Sequence, residues 1–180
     1  MRYETLHRAV NLATIWHTRQ DRKYSETPYI SHPINVMEIV REVTDDENML
    51  IAAVLHDVVE DTSITIDIIR REFRDDVADL VGWLTDVSKP EDGNRETRKR
   101  IDREHTAAAP SRAKTIKLAD LIHNTQSITK CDPDFAVVYM KEKELLLKVL
   151  HEGNPVLWER ARRSLQDYQE SQLQEALKNE

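Results

Sequence analysis

The chain has 180 residues, room for one domain with a single sizeable core at about 150 residues per domain. Hydrophobic residues make up 39% and charged residues 33%, no apolar run nears the roughly 18 residues that cross a bilayer, and the amino terminus lacks a signal-peptide block, so a cytoplasmic protein without a membrane partner is expected. The net charge of −7 argues against a nucleic-acid partner, and the single cysteine, Cys131, excludes an internal disulfide or a multi-cysteine zinc site, leaving His, Asp and Glu to hold any metal.

Three glycines, and six prolines placed at segment boundaries, favour helices. Leu6, Val10, Ala13 and Trp16 or His17 predict an amphipathic helix over Tyr3 to Arg19. Asp21 to Ser31 breaks the period, and Ser31-His32-Pro33 reads as a helix start with Pro33 at the first helical position, running to about Val40. Asp45, Asp46 and Glu47 load negative charge before Met49 to Val59, a run apolar on nearly all sides that belongs in the core. Thr62 to Thr65 interrupts. Ile66 to Leu84 resumes helical spacing in two pieces parted near Arg74 to Asp76, and Ser88 to Asn94 is a loop. Arg95 to Ala109 is a polar helix, Ala113 to Ile128 an apolar-periodic one, and Phe135 to Leu150 and Pro155 to about Lys178 are the last two. No stretch alternates as a strand would. The expected fold is all-α, a bundle of roughly eight or more helices, with residues 1–150 as one domain and 151–180 as a helical extension packed on it or trailing from it.

Four short pieces carry chemistry: His32 at a helix start, His56-Asp57, Glu60-Asp61, and Asp120 with Asn124. His56, Asp57 and Glu60 stand three and four apart on a buried helix, so they share a face. Burying that many ionisable groups is costly unless each is paired or holds a metal. Two His and two Asp offer nitrogen and hard oxygen donors without sulfur, a set suited to Mn²⁺, Fe²⁺ or Zn²⁺ with positions left open for water and substrate. Such an ion polarises a phosphoryl oxygen and acidifies water, and Glu60 and Asp61 stand where they can position or deprotonate that water.

Either dipeptide alone arises by chance; the ordered H…HD…D pattern is far more specific. Thr27-Pro28-Tyr29-Ile30-Ser31-His32-Pro33, Ala53-Val54-Leu55-His56-Asp57-Val58-Val59-Glu60-Asp61-Thr62 and Lys117-Leu118-Ala119-Asp120-Leu121-Ile122-His123-Asn124 resemble the HD superfamily, and within it the hydrolase domain of RelA/SpoT enzymes and the stand-alone small alarmone hydrolases. The resemblance runs from about Arg8 to Leu150. It implies an HD-domain helical bundle with a central metal site, Mn²⁺ on His32, His56, Asp57 and Asp120, and water handled by Glu60 and Asp61. The activity implied is hydrolysis of the 3′-pyrophosphate of ppGpp or pppGpp to GDP or GTP plus pyrophosphate.

The resemblance also sets Arg22-Lys23 against the guanine base and metal site, where a guanidinium plane can stack. It brings basic residues of the Arg95 to Arg103 run, among them Arg95, Arg98 and Lys99, to the phosphates, Asn124 near the ribose, and Tyr139 and Ser127 to the pocket. With only about 30 residues beyond the matched part, a stand-alone hydrolase is expected. Another HD phosphohydrolase acting on a nucleoside monophosphate or the 2′-phosphate of NADPH, and a non-catalytic nucleotide sensor, are the alternatives. Whether the partner set includes a second copy in a homo-oligomer stays open. His7, His17, His105, His123 and His151 are read as packing or surface histidines, the three tryptophans as packing residues and Cys131 as inert.

Overall fold

A computed structural model describes residues 3–178. Among the described residues ten α-helices follow one another: α1 (Glu4–Trp16), α2 (Ser31–Arg41), α3 (Glu47–Leu55), α4 (Val58–Asp61), α5 (Ile66–Glu72), α6 (Asp75–Leu84), α7 (Arg95–Ala108), α8 (Ser111–Cys131), α9 (Pro133–Leu147) and α10 (Pro155–Lys178), with one 3₁₀ turn at Pro90–Asp92. The all-α expectation holds, and no strand forms among these residues beyond an isolated bridge between Asp21 and Pro28.

α3 is the hub. Asp46 caps it by accepting from the Asn48 and Met49 N–H groups, and every residue from Met49 to Leu55 is buried. α1, α2 and α6 pack around it, and α8 lies against α2, α6, α9 and α10. The core therefore runs from Leu6 and Ala9 of α1 to Leu157, Ala161 and Leu165 of α10. Gly153, between α9 and α10, sits so close to α8 that a Cβ there would lie 2.7 Å from Leu118 and 3.2 Å from the Lys114 backbone.

Three local departures from the sequence expectation have physical causes. α1 stops at Trp16 because the chain turns through Arg19 at φ 69°, a left-handed residue that points it into the 20–30 loop. α2 begins at Ser31, so Pro33 occupies its third position rather than its first, still among the residues whose N–H groups have no partner within the helix. The long run through Val59 is broken after Leu55: the His56 ring bonds the Ala53 carbonyl at 2.8 Å, and a fresh turn opens at Val58.

Candidate metal centre and substrate cavity

The break after Leu55 turns His56 and Asp57 inward together. His56 is 2% exposed and His32, at the start of α2, 1%. Asp120 reaches the same point from the middle of α8. His56 Nε2 stands 3.1 Å from Asp57 Oδ2 and 3.7 Å from Asp120 Oδ1; His32 Nε2 stands 3.5 Å and 3.3 Å from the same two oxygens. Donors separated this way fit around one ion with bonds of about 2.0–2.2 Å. His56 supplies the sharper test. Its Nε2 is buried without a hydrogen-bond partner, while its Nδ1 is held by the Ala53 carbonyl, the orientation that leaves a lone pair facing the two carboxylates. His32, His56 and Asp57 form a compact metal-competent cluster, and Asp120 closes it.

Both carboxylates are oriented from behind. The Tyr29 hydroxyl donates to Asp57 Oδ2 at 2.6 Å, and Asn124 Nδ2 donates to Asp120 Oδ1 at 2.6 Å, its turn-mate on α8. Burial works against ionising either acid, but Lys117 beside Asp120, and the two imidazoles beside both, hold them well below the usual carboxylate range. Burial likewise opposes charge on His56, and Asp57 and Asp120 outweigh it, so its pKa rises. The centre thus attracts one positive charge strongly.

Glu60 and Asp61 on α4 flank the centre. Glu60 Oε1 accepts the Asp86 N–H at 2.7 Å, and its pKa is pushed up to about 7, first by removal from water, opposed by Lys117 and reinforced by Asp86 and Asp57. Asp61 is also raised, by burial and then by Asp57. Glu60 lines the cavity that adjoins Asp57 and Asp120.

That cavity, about 480 Å³, opens from Asp57 and Asp120 towards α7 and α9. Arg22 spans its wall, donating to Asn124 Oδ1 at 3.1 Å and Ser127 Oγ at 3.2 Å, and lies over the Tyr29 ring. Arg22, Asn124 and Ser127 are therefore brought together as a group. Tyr139 bonds the Leu121 carbonyl at 3.3 Å and lines the same wall. Lys23 is exposed at the mouth, over the Phe135 ring and paired with Asp132 at 3.2 Å. Arg95 lies over the same ring and is clasped by Glu142 through two bonds of 2.7 and 2.9 Å. Lys99 pairs with Asp86 at 2.7 Å.

Arg98 stands apart. It does not line the cavity, whereas Arg103, four residues beyond Lys99 on the same face of α7, does. Sequence reasoning also passed over Lys117, whose Nζ is 3.4 Å from Asp120 Oδ2, and Tyr29; both lie inside the quoted motifs, and only the three-dimensional register gives them these partners. His123, read from sequence as a packing or surface residue, lies with Nδ1 2.7 Å from Nδ1 of His32. Its pKa falls to about 4, through burial and then the neighbouring His32 and Arg22, so it stays neutral.

With this geometry in view, the comparisons with known proteins agree on one lineage. A family model described as an HD domain matches residues 9–146. The chain is 39% identical over 133 residues to the guanosine-3′,5′-bis(diphosphate) 3′-pyrophosphohydrolase MESH1 of Xenopus tropicalis, covering 70% of this chain and 70% of that one. It is 38% identical over 124 residues to a GTP pyrophosphokinase of Streptomyces coelicolor, 68% of this chain but only 14% of that one. A solved structure of a metazoan ortholog of SpoT, described as hydrolysing ppGpp, superposes with a TM-score of 0.82 at 31% identity over 91% of this chain and 95% of the other.

Proposed function

The chain belongs to the HD domain family, and from that premise we propose that it is a metal-dependent hydrolase that removes the 3′-pyrophosphate of ppGpp and pppGpp. The observation that carries this reading is the convergence of His32, His56, Asp57 and Asp120 at the head of a cavity rimmed with cations. Water adds to the phosphorus bonded to the ribose 3′ oxygen, that P–O bond breaks, and the 3′ oxygen takes up a proton. GDP or GTP leaves, with pyrophosphate.

The four donors would hold a divalent ion, with Mn²⁺ the expected species. When bound, the ion supplies Lewis-acid polarisation of a phosphoryl oxygen and lowers the pKa of water in the site. Glu60, with a pKa near neutrality, takes the proton of the attacking water, and Asp61 helps to orient it. Arg22 offers a guanidinium plane to the guanine, and its bonds to Asn124 and Ser127 fix that plane before substrate arrives. Arg95 and Lys99 receive phosphate oxygens, and Lys23, which the resemblance set against the base and metal site, is assigned to them as well because it stands exposed at the mouth beside Asp132 and Phe135. Each now holds a carboxylate on another segment, Glu142, Asp86 and Asp132, which the substrate's phosphates replace. Arg98, off the cavity wall, is left out of the proposed contacts.

Chelation tests the metal dependence. Protein stripped of divalent ions should lose ppGpp hydrolysis and regain it when Mn²⁺ returns, and His56→Ala or Asp57→Ala should lose tight ion binding and activity together. Full activity in rigorously stripped protein would overturn the reading.

A further inference from the structure

We propose that His123 is a positioning residue that fixes the metal-facing nitrogen of His32; the inference rests on the reading of His32 as a metal ligand. An imidazole presents a lone pair to an ion through one ring nitrogen only when its proton sits on the other, and that N–H needs an acceptor. His56 has a backbone carbonyl, that of Ala53, for this purpose. His32 has none. Its Nδ1 faces Nδ1 of His123 at 2.7 Å, with the rings tilted at 35° and their centroids 4.8 Å apart.

Two ring nitrogens at that distance share one proton, which allows two arrangements. With the proton on His123, the Nδ1 of His32 accepts, its own proton moves to Nε2, and an N–H points at Asp57 and Asp120 where an ion should stand. With the proton on His32, the Nε2 lone pair faces the centre, 3.5 and 3.3 Å from the two carboxylate oxygens. Ion binding therefore requires His123 to be the acceptor, neutral, with its own proton on Nε2.

The placement follows from α8. His123 lies one turn after Asp120, so a single helix delivers one ligand and the partner of another in one register. The two ligating imidazoles are thus held by different devices. A carbonyl can only accept, and its hold on His56 is invariant; a histidine can act as donor or acceptor, so the hold on His32 depends on which tautomer His123 adopts.

Titration calorimetry with Mn²⁺ on ion-free His123→Leu, His123→Asn and His32→Ala proteins tests this. His123→Leu should bind Mn²⁺ about 10–100-fold more weakly than wild type. His123→Asn, whose Oδ1 takes the place of Nδ1 as acceptor, should recover most of that loss. Wild-type affinity in His123→Leu, beside a His32→Ala protein that has lost the ion, overturns the inference alone; wild-type affinity in His32→Ala overturns the metal reading beneath it. Ring-nitrogen NMR of the unmutated Zn²⁺-loaded protein provides a check that no folding defect can disturb. A neutral His123 protonated on Nε2 supports the inference, and a His123 protonated on Nδ1 overturns it.

Discussion

Glu60 brings the chemistry to the level of one proton. Its carboxyl is pushed up to about 7 chiefly by removal from water, and the reactive form of a general base is the ionised one. The rate should therefore rise with pH as Glu60 loses its proton near neutrality and level off above. Glu60→Gln should keep the ion, lose turnover by about 10²–10⁴-fold and lose that rising limb, read as kcat/KM against pH. A Gln variant with wild-type turnover would remove Glu60 from the mechanism. The cluster of His32, His56, Asp57 and Asp120 was legible in the sequence as a candidate, because the ordered H…HD…D pattern is far more specific than either dipeptide and burying such groups is costly unless each is paired or bound. His123 was not, because its partner lies 91 residues away, and only the crossing of α2 over α8 brings the two rings together.

Among the elements, α7 shows where periodicity informs and where it stops. Five cations between Arg95 and Arg103 mark a basic helix in an acidic chain, but only the residues on one face, Arg95, Lys99 and Arg103, reach the cavity. Their face is set by Asp102, which is buried and accepts the N–H groups of Val87 and Ser88 at 3.0 and 2.8 Å, tying α7 to the segment that carries Asp86. Lys99→Gln should raise KM for ppGpp by about tenfold, the order expected for one charge-assisted contact, and more at low ionic strength, where charges are less screened. Arg98→Gln, altered off the cavity wall, should leave KM unchanged. A reversed ranking in salt-dependent kinetics would place the phosphates elsewhere on α7. The break between α3 and α4 escaped periodicity altogether, since the apolar pattern continues through Val59 and only the His56 bond to Ala53 reveals it.

For the whole molecule, the net charge of −7 and the cationic rim are compatible because the rim is local: Lys23, Arg95 and Lys99 are each balanced by a carboxylate, and these pairs gather on one side of the bundle. α8 organises that side. It carries Lys117, Asp120, His123, Asn124 and Ser127 through the centre of the fold and is braced by α10, whose Leu157, Ala161 and Leu165 are buried in the same core. Lys143 of α9 is buried between them, bonded to Thr125 of α8 at 2.8 Å and Ser164 of α10 at 2.6 Å, with burial alone lowering its pKa to about 8. The all-helical architecture was legible from scarce glycine and prolines at boundaries. The partner of α10 was not: Leu157, Ala161 and Leu165, four apart, mark the face it buries, but only the fold shows that α8 and α9 cover that face, while the Gln- and Glu-rich tip stays exposed.

Phosphorus NMR of the Mn²⁺-loaded protein incubated with ppGpp, beside parallel incubations with NADPH and nucleoside monophosphates, separates removal of a 3′-pyrophosphate from the other phosphohydrolase reactions. A 3′-pyrophosphohydrolase releases equimolar pyrophosphate and GDP from ppGpp, at a higher kcat/KM than for any other substrate. Orthophosphate released with a nucleotide that keeps a 3′-phosphate, or faster turnover of NADPH or a monophosphate, would contradict the proposed function.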